Sequence, residues 1–309
     1  MRVRVHPLRQ EEAGNTFQAG SVHGRHRRFV DRRYHVNDIL RDPGGRGTSV
    51  LGALRAALTM FTVIPAKVDG EDVDVLSRRF YLIVFIGALY GVLASGMFYL
   101  GKDLLSTAVL AALVLAMFHL LNRFLHLDGL SDFGDGMVCG GNAERRMAAM
   151  KDSKTGAGGV GYALVFTVLS FAALASLTGK AELLFFPLIA EIMNKNAMVF
   201  CAFGGKAREG LGNSFVSNTK GKQALISLVM SVLLAFGLIL LICLPTGYWN
   251  AEEIALFTVA GGLFSAIVGL LISEIAMKNF GAVNGDVMGA TNEISRPAVL
   301  IVLLLMVAL

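Results

Sequence analysis

The sequence predicts an all-α polytopic membrane protein with about six to seven transmembrane helices and a short interfacial or re-entrant helix near the amino end. Three observations carry that prediction. Of the 309 residues, 54% are hydrophobic and only 17% are charged, against about 25% charged in a soluble domain. Apolar runs of bilayer-spanning length recur along the chain. The basic residues of the connecting loops alternate from one connection to the next, as the positive-inside rule requires.

The elements follow in order. Leu51–Ile64 is apolar but short, carries Arg55 and stops at Pro65, which suits a helix lying in or dipping into the interface. The runs Phe80–Leu100, Leu104–Phe124, Val160–Leu177, Leu183–Phe203, Ala224–Leu244 and Ile254–Met277 each approach the ~20 residues that cross ~30 Å of hydrocarbon as a helix. Pro297–Leu309 is a seventh apolar run, short for a complete span, and reads as a tilted or partial one. Residues 48–309 are read as one integral-membrane catalytic domain.

Residues 1–47 are different. Their ten Arg against five Asp or Glu account for the whole net charge of +5. With no sustained apolar periodicity they read as a basic, disordered extension. They lack the apolar centre of a signal peptide and the interleaved aromatics of a nucleic-acid surface. The three cysteines, Cys139, Cys201 and Cys243, have no C-x-x-C spacing, so neither a disulfide framework nor a zinc site is expected.

The loop charges set the topology. Arg78 and Arg79 precede the first span, and the connection after it holds only Lys102, offset by Asp103. The next holds Arg123, Arg145, Arg146, Lys151 and Lys154, and the one after that Lys180 alone. Lys206, Arg208, Lys220 and Lys222 follow together; residues 245–253 hold no base; Lys278 and Arg296 close the series. This pattern puts His126–Gly158, Gly204–Lys222 and Lys278–Arg296 on the cytoplasmic side of the cell membrane. These are also the long, glycine-rich loops, where function concentrates, so they are expected to converge on one cytoplasm-facing site.

Within them, His126–Gly136 (HLDGLSDFGDG) is the densest in chemistry. On a helix, Asp128, Asp132 and Asp135 fall within roughly 60° of one another. Three carboxylates on one face repel unless a cation lies between them, and all-oxygen donors favour a hard ion such as Mg2+, which commonly shares substrate phosphates. These aspartates are the candidate catalytic and metal-binding residues, with His126 beside them. Lys151–Gly159 (KDSKTGAGG) joins Lys151, Asp152, Ser153 and Lys154 to glycines entering a span, a composition able to cradle phosphate, although the P-loop order is absent. Lys206 and Arg208 in GGKAREGLG have the same anion-recognition character. Asn284, Asp286 and Glu293 in Gly281–Glu293 add a second acidic contribution, Asp286 and Glu293 being one helical face apart. Glu191, Asn194, Lys195 and Asn196 interrupt an apolar run. Ionisable groups at membrane depth are expensive and mark function, and Glu191 and Lys195 at i, i+4 are spaced so that they could pair on one face.

Together these motifs resemble the cobalamin-5′-phosphate synthase family, the adenosylcobinamide-GDP ribazoletransferases, over about residues 50–309. Phe61–Pro65 (FTVIP), His126–Gly136, Lys151–Gly156, Arg208–Gly212 and Gly281–Glu293 stand in that family's order. Phe133 replaces a small residue, and Asn194–Lys195 stands where a polar residue followed by arginine is expected. The resemblance implies a Mg2+-dependent transferase acting on small-molecule corrinoid and α-ribazole substrates in a lipid membrane. A ribose hydroxyl of α-ribazole, or of its 5′-phosphate, would attack the cobinamide-side phosphorus of adenosylcobinamide-GDP and release GMP. Lys151, Lys154 and Arg208 would hold phosphate oxygens. A CDP-alcohol phosphotransferase is the nearest alternative, but Asp128–Gly129 lacks the following Ala-Arg. An ion-coupled transporter fits less well, because the acids cluster in loops and no internal repeat is visible. Nothing suggests a nucleic-acid partner. Homo-oligomerisation and docking of other corrinoid-assembly enzymes are left open.

Overall fold

A computed structural model describes residues 49–308 apart from 178–180, 209 and 211, with backbone alone at 181, 182 and 243–246. The basic extension 1–47, Lys180, Glu209 and the side chain of Cys243 lie outside this description. The described residues form an all-α polytopic membrane protein. Twelve helices follow in order: α1 Val50–Phe61, α2 Gly70–Arg78, α3 Val84–Gly101, α4 Thr107–Leu121, α5 Leu125–Val138 and α6 Ala143–Met150. Then come α7 Ala157–Ala175, α8 Phe186–Gly204, α9 Asn213–Asn218, α10 Gly221–Thr246, α11 Ala251–Phe280 and α12 Gly285–Ala308. A 3-10 turn, Phe80–Ile83, leads into α3. Six helices are long and apolar enough to cross a membrane, and the bent pair α4–α5 raises that to as many as seven.

Helix α8 is the central pillar. It packs against α3, α10, α11 and α12, and every residue from Phe186 to Val199 is buried. With no hydrophobic drive between helices in lipid, such packing needs small residues at the crossings. On α3, a Cβ at Gly87 would fall 2.3 Å from the Glu191 carbonyl oxygen of α8. On α11, one at Gly269 would fall 2.3 Å from that of Ala197. Peripheral α7 and α10 turn Val160, Leu164, Val168, Leu225, Val229 and Leu233 outward, as lipid-facing helices do.

Local chemistry fixes the helix ends. Ser49 caps α1, Asp69 caps α2 and Asn142 caps α6, each side chain accepting from a backbone N–H of the first turn. Asn250 and Glu253 form a reciprocal capping box at α11. At the other end of α11, Gly281 adopts φ 71°, the left-handed stop that glycine takes without strain. Arg55 of α1 reaches Asp72 of α2 at 3.8 Å, joining the short apolar helix to its neighbour.

Two expectations are corrected. The final apolar run is the second half of a full span, because α12 begins at Gly285 and runs unbroken through Asn292, Glu293 and Arg296. Those polar residues depress its hydropathy in the sequence, and the fold offsets them with polar partners on α8. Arg296, counted there as a loop charge, is only 1% exposed inside the bundle. The run Leu104–Phe124 also does not continue straight. Its helix ends at Leu121 and the chain bends by 90° into α5.

Candidate functional site

The bend before α5 is built from strain and a clamp. Arg123 and Phe124 both take positive φ, 55° and 60°, a conformation that costs a residue with a Cβ roughly 1–2 kcal/mol. Arg123 Nη2 donates to the carbonyls of Thr59 at 3.0 Å and Thr62 at 2.5 Å, tying the corner to the end of α1. The Asp128 N–H then donates to the Phe124 carbonyl at 2.8 Å, and α5 leaves the corner carrying the aspartates.

Glycines let α5 approach two partners. A Cβ at Gly129 would fall 2.9 Å from the Asp286 carbonyl oxygen, and one at Gly134 would fall 2.8 Å from that of Gly158. Gly129 therefore brings Asp128 beside the first turn of α12. Asn284 organises that turn. Its Oδ1 accepts from the Val287 N–H at 3.0 Å, and its Nδ2 donates to Asp286 Oδ2 at 2.9 Å. The loop after α8 rests on the same turn: the Val283 N–H donates to the Lys206 carbonyl at 2.9 Å, and Gly212 lies against Gly285.

These elements enclose a cavity of about 330 Å³. Its polar lining is His126, Asp128, Lys151, Asn284 and Asp286. Its apolar lining is Met60, Phe61, Phe80, Leu125, Met198, Phe215 and Met288, and Gly210, Gly212 and Gly285 complete it. The three glycine-rich loops thus converge on one space.

The sequence-derived candidates separate into three groups. His126, Asp128, Lys151, Asn284 and Asp286 line the cavity. A second group lies on α5 and on the loops and does not line it. Asp135 accepts from the Gly156 and Gly159 N–H groups, 2.7 Å each, at the amino end of α7. Asp132 lies one turn beyond Asp128. Asp152 accepts from the Lys154 N–H at 3.0 Å. Ser153, Lys206 and Arg208 are exposed. Asp128 thus faces the cavity while Asp135, on the same helix, is held by the amino end of α7. Among the described residues no three His, Cys, Asp or Glu side chains gather as a ready metal cage.

The third group is buried. Arg296 donates through Nε to Glu191 at 2.6 Å and through Nη1 to Glu293. Lys195 Nζ donates to Asn292 Oδ1, and Asn292 Nδ2 donates to Glu293 at 3.0 Å. Two carboxylates and two cations balance in charge, which is what permits them at membrane depth. The Glu191–Lys195 pair that the spacing allows is therefore replaced. The Arg296 guanidinium takes Glu191 because it can donate to two carboxylates at once. Lys195 and Glu293 are 2% and 3% exposed and do not line the cavity. Lys195 lies over the Tyr90 ring, whose hydroxyl donates to the Phe61 carbonyl at 2.9 Å. Through Tyr90 the network braces the apolar wall.

Sequence reasoning missed that wall. Phe61 and Met288 lie inside motifs that the sequence singled out for other residues, whereas Phe80, Met198 and Phe215 come from three further segments and carry no local signal. Arg296 had one: a cation four residues past Asn292, heading an apolar run.

The profile of the family described as cobalamin-5-phosphate synthase matches residues 53–304. The adenosylcobinamide-GDP ribazoletransferase of Methanocella arvoryzae is 35% identical over 258 residues, covering 82% of this chain and 95% of that protein. The protein of the same name from Methanococcoides burtonii is 34% identical, over 81% and 91%. That of Thermococcus kodakarensis is 33% identical, over 82% and 98%. No solved structure matches the chain.

Proposed function

This chain belongs to the cobalamin-5-phosphate synthase family, and from that membership and its cavity together we propose that it is an adenosylcobinamide-GDP ribazoletransferase. The observation that carries the reading is the meeting of Asp128 and Asp286 in one cavity with Lys151 and the amino end of α12. Phosphoryl transfer asks for positioning and charge neutralisation more than for covalent chemistry, and this wall offers both signs of charge.

In the proposed reaction a ribose hydroxyl of α-ribazole, or of its 5′-phosphate, attacks the cobinamide-side phosphorus of the pyrophosphate. A new P–O bond joins nucleoside to corrinoid, the bond to the guanosine phosphate breaks, and GMP leaves with the electron pair. The hydroxyl proton passes to base or solvent. Lys151 offers an ammonium to phosphate oxygens. The first turn of α12 offers N–H groups and the positive end of its dipole. Asn284 holds Asp286 in place.

The donor set fits Mg2+, which binds proteins through one or two carboxylates and fills its shell with water and substrate phosphate. Asp128 and Asp286 would hold it, with Asp132 next on the same face. When bound, it would neutralise charge on the pyrophosphate and the leaving GMP. A further part of the reading is the setting, the cytoplasmic membrane of the cell with the cavity facing the cytoplasm. Arg145, Arg146, Lys151, Lys154, Lys220, Lys222 and Lys278 support it through the positive-inside rule.

The experiment is turnover by the purified protein in lipid with adenosylcobinamide-GDP, α-ribazole and Mg2+. GMP release with a cobalamin product is expected. A folded protein that forms neither contradicts the assignment.

A further inference from the structure

The cavity has a lining the reaction alone does not require: beside the carboxylates, Lys151 and Asn284 stand Met60, Phe61, Phe80, Met198, Phe215 and Met288. Two ring contacts organise this apolar lining. Phe80 and Phe215 meet edge to face with centroids 5.0 Å apart, and Phe61 stacks on His126 at 5.9 Å and 24°. The wall is supported from behind, since Tyr90 donates to the Phe61 carbonyl.

We propose that this aromatic and thioether wall is the seat of the acceptor's heterocycle, so that the cavity takes the α-ribazole nucleoside whole and the corrinoid donor stays at its mouth. The inference rests on the transferase reading above and goes beyond it by dividing the two substrates between the cavity and its rim. Size decides first. About 330 Å³ lies at the small end of ligand pockets, which run roughly 300–1,000 Å³. That is room for a nucleoside and not for a corrin macrocycle with its side chains.

Chemistry decides second. The apolar lining is Phe, Met and Leu side chains, with His126 stacked on Phe61. A guanine seated there would leave several donors and acceptors buried without partners, a strong ground for rejection. A benzimidazole has an apolar rim, a flat face and, once glycosylated, a single ring nitrogen free to bond. Phe and Met surfaces suit that face, and the imidazole of His126 supplies one polar partner. With the base seated there, Asp128 and Asp286 of the same cavity are left for the ribose hydroxyls.

The test separates substrates by their KM values, using full-length protein in lipid nanodiscs with wild type, Phe215→Ala, Phe215→Leu and Met288→Ala. Phe215→Ala is expected to raise KM for α-ribazole at least tenfold. Phe215→Leu and Met288→Ala raise it less, and KM for adenosylcobinamide-GDP stays within about twofold. An α-riboside of adenine should be a poor acceptor for wild type. A rise in the corrinoid KM with the α-ribazole KM unmoved overturns the inference and assigns the wall to the donor. If Phe215→Ala does not elute as a monodisperse protein, the Leu and Met288 variants carry the same comparison. If wild type makes no product, the transferase reading fails separately. Equilibrium dialysis with α-ribazole then decides: saturable binding weakened in Phe215→Leu upholds the seat, and no binding to wild type overturns it.

Discussion

Asp135 closes the amino end of the helix that contains Gly156 in its cap: one carboxylate oxygen accepts from the Gly156 N–H and the other from the Gly159 N–H, each at 2.7 Å. A carboxylate there satisfies two orphan donors and meets the positive end of the helix dipole. Asp135→Ala should therefore cost about 1–2 kcal/mol of stability, read as a lowered melting temperature in detergent. Asp135→Asn keeps an acceptor and should cost less, while retaining turnover clearly above that of Asp128→Asn. Equal loss of turnover in the two Asn variants would assign Asp135 to the chemistry rather than to the cap.

The ion network under the cavity should respond unequally to its members. Arg296 donates to both Glu191 and Glu293. Arg296→Met leaves two buried carboxylates without the cation they share and should cost about 3–5 kcal/mol. Glu191→Gln keeps an acceptor for Nε and should cost clearly less. The yield of monodisperse protein and its melting temperature measure the difference; Glu191→Gln proving the worse of the two would contradict the assignment.

These examples show what the sequence made legible. The spans Phe80–Gly101, Leu183–Gly204 and Ala251–Phe280 lie within a few residues of the apolar runs, because hydropathy over 20 residues is a strong signal. The convergence of the three polar loops was likewise legible from charge alternation. The span of α12 was not, since Asn292, Glu293 and Arg296 look like loop until their α8 partners are seen. Nor was the right-angle corner at Arg123 and Phe124. It depends on carbonyls of Thr59 and Thr62, some 60 residues upstream, and two non-glycine residues at positive φ leave no pattern of their own. In the candidate site, residue types were readable and their sorting was not: Asp128 and Asp286 meet because Gly129 permits close approach to α12.

That corner offers its own test. Asn tolerates the left-handed region and a β-branched residue does not. Both Phe124→Asn and Phe124→Ile lose the stacking of Phe124 on His119. They differ in backbone strain, so Phe124→Ile should be less stable by about 1–2 kcal/mol. Equal melting temperatures would mean that the corner relaxes to a different geometry.

Chelation should silence the enzyme. If Asp128 and Asp286 share an ion with the pyrophosphate, EDTA abolishes GMP release and excess Mg2+ restores it. The dependence on Mg2+ should steepen when substrate is scarce, because the substrate supplies part of the coordination shell. Full turnover in chelator would remove the metal from the account.

The most direct test of the central claim, that Asp128 of α5 and Asp286 of α12 form one site, is a double-mutant cycle on turnover. Wild type, Asp128→Asn, Asp286→Asn and the double variant are compared for GMP release under saturating substrates and Mg2+. Each single substitution should lower kcat by about 10²–10³-fold, the scale of losing one preorganised electrostatic contact. The double variant should be little worse than the poorer single, because groups that act as a unit are not additive. Wild-type turnover in Asp286→Asn, or multiplied losses in the double variant, would show that the two carboxylates do not work together.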